Sequence, residues 1–387
     1  MKKSIHLIVG ICLASILFFS CKKDILAPVI YNNPTNFSEV FEDFWNGMNI
    51  NYVFWSIDTT NWDNMYKIYK PVFDNLNIND TNDVKKAIGY FRQMTDGLVD
   101  SHYNISFTIN PITDSFVNPA EDRKVLSSSF HNPFSYTSID TVNYFDSGFV
   151  TGFYTNVSNE KIFASSGTIG GEILLFHCNG FSLQEAYQSA TDNGVKNVLQ
   201  YFFGQLLNLP ASIKGIIIDV RNNGGGDVSD LNFLVGQLIS KPLQFGYTRY
   251  KSGNGRLDYT PWITAVVTPQ STAIPINLPV IALADNFSIS LAEATTMAIH
   301  TMPNGTFVGE TTWGANGPLT ENGLYNDGQF NVPDFLSVYT SSAEFKYING
   351  QIYEGKGFPP DVAVPFNLSL LQAGDDPILD KAISLIH

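Results

Sequence analysis

Three cysteines in 387 residues leave this chain without a disulfide framework or a cysteine-rich metal site. Cys12 and Cys21 fall in or beside the apolar start of the chain, so Cys178 is the one thiol of the body, and its place at the end of the run EILLFHC makes it a core residue. Histidine is sparse as well. The six, at positions 6, 102, 131, 177, 300 and 387, never recur at the i, i+4 spacing of a helical zinc site, which argues against a zinc hydrolase. Basic charge is short, with 22 Lys and Arg against 36 Asp and Glu and a net charge of −14, and a surface of that sign repels phosphate backbones, so no nucleic-acid partner is expected. There is no GxxxxGK[ST] phosphate loop, no internal repeat and no low-complexity tract, and nothing in the sequence calls for a cofactor.

What is present is ample material for cores: 44% of the residues are hydrophobic and 13% aromatic. Residues 1–20 combine Lys2 and Lys3, an apolar run from Leu7 to Phe19 and Ser20. That run is too short to span a bilayer comfortably and reads as a cleaved secretion signal. The junction LFFSC followed by KKD resembles a bacterial lipobox, which implies lipidation of Cys21, anchoring to a membrane and a place in the bacterial cell envelope; an ordinary signal peptide with a chance cysteine is the alternative. Removal of residues 1–20 takes two lysines and no acid, leaving 20 basic against 36 acidic residues, a net −16.

Residues 21–34 carry two prolines and no periodicity, as a tether would. From 35 to 105 large apolar residues recur at three- and four-residue steps, which predicts about three amphipathic helices. Residues 106–165, rich in Ser, Thr, Asn, Phe and Tyr with short alternating runs, read as irregular β structure without a clear carboxylate-binding glycine loop. From 166 to 387 strands and helices alternate, which predicts an α/β core with a largely parallel sheet. A hairpin is expected at Ile348-Asn349-Gly350.

Within that last region, Pro279 to Gly317 reads as strand, sharp turn, helix and strand, with Ser290 at the turn. A serine there faces the unpaired N–H groups of a helix start, where an oxyanion is stabilised, although a serine before a helix is more commonly only a cap. Four segments in order, IIIDVRNNGGG (216–226), Ser290-Leu291-Ala292-Glu293, GETTWG (309–314) and EGKGFPPDVAV (354–364), resemble the tail-specific, or C-terminal processing, serine peptidases and their tricorn-like branch. The run through Leu98-Val99-Asp100-Ser101-His102 extends the resemblance to the helical region. It implies a crotonase/ClpP-like α/β core and a serine endopeptidase acting on peptide or protein substrates, with no metal.

The processing branch places a lysine about 25 residues after the serine; here that position is Ala315, so a Ser-Lys pair is not available there. The tricorn-like branch implies Ser290 as nucleophile, His102 as base, Ser101 and Glu354 as the pair that orients it, and main-chain N–H groups of the Gly224–Gly225 loop and of Leu291 as the oxyanion hole. Taken without the family, His102 reads as structural and Glu354 as a surface residue. Glu293, one helical turn beyond Ser290, reads as a residue that packs or supports the site from behind, Asp219, Arg221 and Asn222 as braces of the glycine loop, and His177 and His300 as structural. The rival reading is an inactive lipoprotein of the same fold that binds a ligand or peptide, for which 29 phenylalanines would suit an apolar pocket.

Overall fold

The computed structural model describes residues 33–319 and 328–386; the expected signal segment and Cys21 lie outside the described residues. Three helices open the body, α1 (Phe37–Asn51), α2 (Trp62–Asp74) and α3 (Thr81–Thr95), and each starts on an Asn or Asp whose side chain accepts a main-chain N–H of the first turn. Their apolar faces bring Phe37, Phe41, Phe44, Phe73 and Phe91 into one cluster, with Phe44 and Phe91 edge to face at 4.8 Å. The phenylalanines that suggested an apolar ligand are, in this cluster, packed on each other.

That cluster is closed by a sheet drawn from two distant parts of the chain. Strand β1 (Asn104–Phe107) pairs antiparallel with β2 (Phe116–Val117) on one side and with β12 (Leu336–Tyr339) on the other, and β12 pairs with β11 (Gln329–Val332), in the order β11-β12-β1-β2. Phe330, Phe335 and Leu336 from the late segment are buried among the helical residues.

The main sheet has seven strands in the order β14-β10-β9-β6-β5-β4-β3. Strands β5 (Ile173–Cys178), β6 (Gly215–Asp219), β9 (Val280–Ala284), β10 (Gly305–Gly309) and β14 (Val362–Ala363) run parallel, while β3 (Val150–Thr155) and β4 (Lys161–Ile169) form an antiparallel edge. The sheet thus takes in residues 150–165, ahead of the point where strand and helix begin to alternate in the sequence. Every residue of β5, β6 and β9 is buried, because both faces are covered. Leu174, Phe176, Ile216, Ile218, Val280 and Ala282 face helices α4 (Gly194–Leu207) and α5 (Leu291–Thr301); the alternate residues Ile173, Leu175, Ile217, Ile281 and Leu283 face α6 (Pro377–Ile386).

A third sheet, β13-β7-β8, comprises β13 (Ala343–Tyr347), β7 (Leu243–Tyr250) and β8 (Ile263–Val267). The turn expected at Ile348-Asn349-Gly350 is present, with Gly350 at φ 87°, yet the chain beyond it does not pair back as a hairpin; β13 pairs with β7 instead. No helix among the described residues is long and apolar enough to cross a membrane.

Candidate active site

The carboxyl ends of β6 and β9 lie side by side and carry the two loops that the sequence singled out. Asp219 and Arg221 are fully buried; the guanidinium is bonded to both Asp219 oxygens, reaches both oxygens of Asp376 at the start of α6, and lies 3.7 Å from the Tyr136 ring centre. This clamp fixes where the glycine loop begins, as the bracing reading expected. Asn222 donates its N–H to Asp285 in the neighbouring loop, and Ile289 donates to the carbonyl of Asn223 at 2.9 Å. The two loops are therefore stitched together directly beside Ser290.

Ser290 has φ 57° and ψ −115°, a conformation that L residues rarely adopt, immediately before α5. A Cβ placed on Gly225 would come within 2.8 Å of the Ser290 Cβ, so the absence of a side chain at 225 is what lets the loop approach the serine. The Gly225 N–H is taken by Asn223 Oδ1 at 2.8 Å. Of the two glycines expected to supply an oxyanion donor, this leaves the N–H of Gly224.

Glu293, expected to pack or to support the site from behind, lies directly against the Ser290 turn. It is fully buried and accepts from the Ser290 N–H at 3.3 Å, Thr312 Oγ1 at 2.5 Å, Gly314 N–H at 2.8 Å, Ala315 N–H at 2.7 Å and Asn316 Nδ2 at 3.1 Å. Burial raises its carboxyl above the ordinary range, and these donors oppose the rise. Ala315, standing where the processing branch has lysine, thus gives its N–H to the acid beneath the serine.

The same segment continues into a second buried acid. Glu354 is 2% exposed, against the surface position expected from the residue taken alone, because it accepts the N–H groups of Asn316 at 2.6 Å, Gly317 at 2.8 Å and Ser101 at 2.8 Å. Ser101 and Glu354 are therefore brought together, but through the main chain of Ser101. Burial and the nearby Asp100 charge push the Glu354 carboxyl well up from its ordinary value, while the N–H donors pull it down. Two carboxylates so grip one loop, residues 312–317, from its two sides. One holds it to Ser290 and the other to the Ser101-His102 turn.

His102 is half-buried, and its Nδ1 faces Ser341 Oγ at 3.4 Å. Desolvation lowers its pKa below 6.5, with the Asp100 charge opposing. Asp100 accepts the His102 N–H at 2.9 Å, Thr340 Oγ1 at 2.5 Å, and the N–H and Oγ of Ser341 at 2.8 and 2.9 Å. Neither Asp100 nor Ser341 stands out in the sequence as a site residue. Asp100 carries one signal, an acceptor two positions before the histidine whose N–H it binds; Ser341 carries none.

Ligand atoms of Asp100, His102 and Glu354 lie within 4.8 Å of one another, a spacing that a cation could use, as do those of Asp140, His177 and Asp219 deeper in the core. The oxygens of Asp100 and Glu354 are already occupied by the donors above, which suits an internal brace better than a metal. Cys178 is fully buried with its thiol pushed up by burial, His177 is buried beside Asp219, and His300 bridges Tyr347 and Asp361, all structural positions.

Residues 175–364 match the model of peptidase family S41. Tricorn protease of Thermoplasma volcanium is 27% identical over 201 residues, 52% of this chain and 17% of that protein. Tricorn protease homolog 1 of Streptomyces coelicolor is 29% identical over 181 residues, 46% of this chain and 15% of that one. The matches thus span about one sixth of these relatives' length. Among solved structures, a candidate peptidase of Parabacteroides merdae superimposes with a TM-score of 0.66 at 22% identity, covering 91% of this chain and 97% of the other. Mature CPAF complexed with lactacystin gives 0.60 at 11% identity, with 91% and 98% covered. These two likenesses establish the shared fold. With the β6 and β9 loops, the serine at the start of α5 and the paired acids in place, the chain carries a peptidase family S41 domain from residue 175 to residue 364, tricorn-like in its sequence.

Proposed function

We propose that this protein is a serine endopeptidase in which Ser290 is the nucleophile and His102 the base. The observation that supports this most is the continuous run of hydrogen bonds from the Ser290 N–H through Glu293, the 312–317 loop and Glu354 to the Ser101 N–H, which ties the serine's loop to the histidine's turn. A serine hydroxyl attacks a peptide carbonyl only when a neighbouring base takes its proton, and a histidine of lowered pKa is neutral and available at pH 7. On this reading Ser290 Oγ adds to the carbonyl carbon and its proton passes to His102. The oxyanion is met by the N–H groups of Leu291 and Gly224, and the proton is returned to the leaving amine. Water then repeats the sequence on the acyl-enzyme. Glu354 holds the Ser101-His102 turn in place by accepting the Ser101 N–H.

We also propose that the protein sits in the bacterial cell envelope, anchored by a lipid on Cys21, on the strength of the LFFSC-KKD junction.

The test is hydrolysis of an unstructured protein such as casein, together with labelling by a fluorophosphonate. Wild type should cleave casein and be labelled at Ser290, and Ser290→Ala and His102→Ala should each lose at least about 10³-fold in rate, because the two act as a unit. Casein hydrolysis that survives in purified Ser290→Ala removes the serine from the mechanism.

A further inference from the structure

We infer that Ser341 and Asp100 are positioning residues that fix the tautomer of His102, a role that deepens, and rests on, the serine-peptidase reading. A serine hydroxyl has one proton to give and lone pairs to accept with. The Ser341 proton is committed to Asp100 Oδ1 at 2.9 Å, its other acceptor, the Gly317 carbonyl, lying farther away at 3.5 Å. At 3.4 Å from the His102 ring, the same oxygen is therefore left as an acceptor, and the proton it receives must sit on Nδ1. Nε2 is then bare and free to take the serine proton. Asp100 is 1% exposed and bound by four donors, from Thr340, Ser341 and His102, so it presents a fixed acceptor that cannot turn away. The arrangement makes a carboxylate act on the imidazole through a hydroxyl, and it uses Ser341 rather than Ser101, whose contact with Glu354 is through the main chain.

The relay has a sense that substitutions can reverse. Asp100→Asn turns an acceptor into a group that can donate to Ser341 Oγ; the hydroxyl proton then points at Nδ1, the ring proton moves to Nε2, and the base is blocked. Ser341→Ala removes the link while leaving Asp100 its three other donors, and Ser341→Thr restores the hydroxyl.

Two measurements test this. In the first, 15N shifts of histidine-labelled protein report the His102 tautomer, assigned by comparison with His102→Gln. Wild type should carry the proton on Nδ1, and Asp100→Asn should carry it on Nε2. In the second, casein turnover should fall roughly 10²- to 10³-fold in kcat for Ser341→Ala with KM little changed, and Ser341→Thr should recover most of it. Asp100 is bonded at four places, so if Asp100→Asn does not fold, the Ser341 pair alone decides. An Nε2–H tautomer in wild type, or wild-type kcat in Ser341→Ala, overturns the inference. An Nδ1–H tautomer in a wild-type protein that cleaves nothing supports the relay and overturns the peptidase reading.

Discussion

His102, the base of the proposed mechanism, and the nearby Glu354 titrate in directions that solution experiments can read. Burial holds His102 below 6.5, against Asp100, so the acid limb of kcat/KM should fall below pH 6.5. The same depression means that the unfolded chain binds a proton before the folded one does as the pH drops. His102 therefore subtracts from stability as the pH falls below 6.5 and not above it. A limb at or above 7 would point to a different base. Lys124 is then the residue to examine, since its ammonium lies 5.3 Å from the Trp313 ring centre and is lowered by burial, with the Glu293 charge opposing. Glu354→Gln should reduce kcat by about 10²- to 10⁴-fold with KM little changed. An exposed glutamate would tolerate the change within about 0.5 kcal/mol. Glu354 is buried under three N–H donors, one of which the amide must confront, so chemical denaturation should show a loss of about 1–3 kcal/mol. Unchanged stability together with unchanged kcat would leave Glu354 without a role in the site.

At the scale of the element, the strand, turn and helix that carry Ser290 were legible because three local signals agree: an apolar strand Val280–Ala284, the turn residues Asp285, Asn286 and Ser288, and helix formers from Leu291 onward. The glycine loop was legible for the same reason. What the sequence hid were contacts made across long separations. Glu293 and Glu354 carry no local sign of burial, since most of their donors come from the 312–317 loop, distant from each in the chain, and Ser341 becomes significant only when β12 brings Thr340 and Ser341 against Asp100. The β3–β4 edge likewise has an irregular look in sequence because its half-exposed strand β3 lacks the continuous apolar run of β5 or β9. The Ser290 turn makes its own prediction. A non-glycine residue at φ 57° and ψ −115° costs on the order of 1–3 kcal/mol, so Ser290→Gly should be more stable than Ser290→Ala by about 1 kcal/mol although both lack the hydroxyl. Equal urea midpoints would mean that the turn is not strained.

For the whole molecule, the −16 charge expected of residues 21–387 and the junction at Cys21 belong to one question of address. Cys21→Ser should move the protein from the membrane fraction to the soluble one, and a variant that stays with the membrane rejects the lipid anchor. The arrangement of the body has a consequence for biosynthesis. The ribosome makes His102 early and Ser290 much later, and the partners that seat the histidine, Ser341 and Glu354, come later still. On the proposed reading, a growing chain exposes a nucleophile whose base has no fixed place until translation has passed residue 354. If that reading holds, a chain broken off short of that residue would carry the serine and the histidine without the acid that joins their loops.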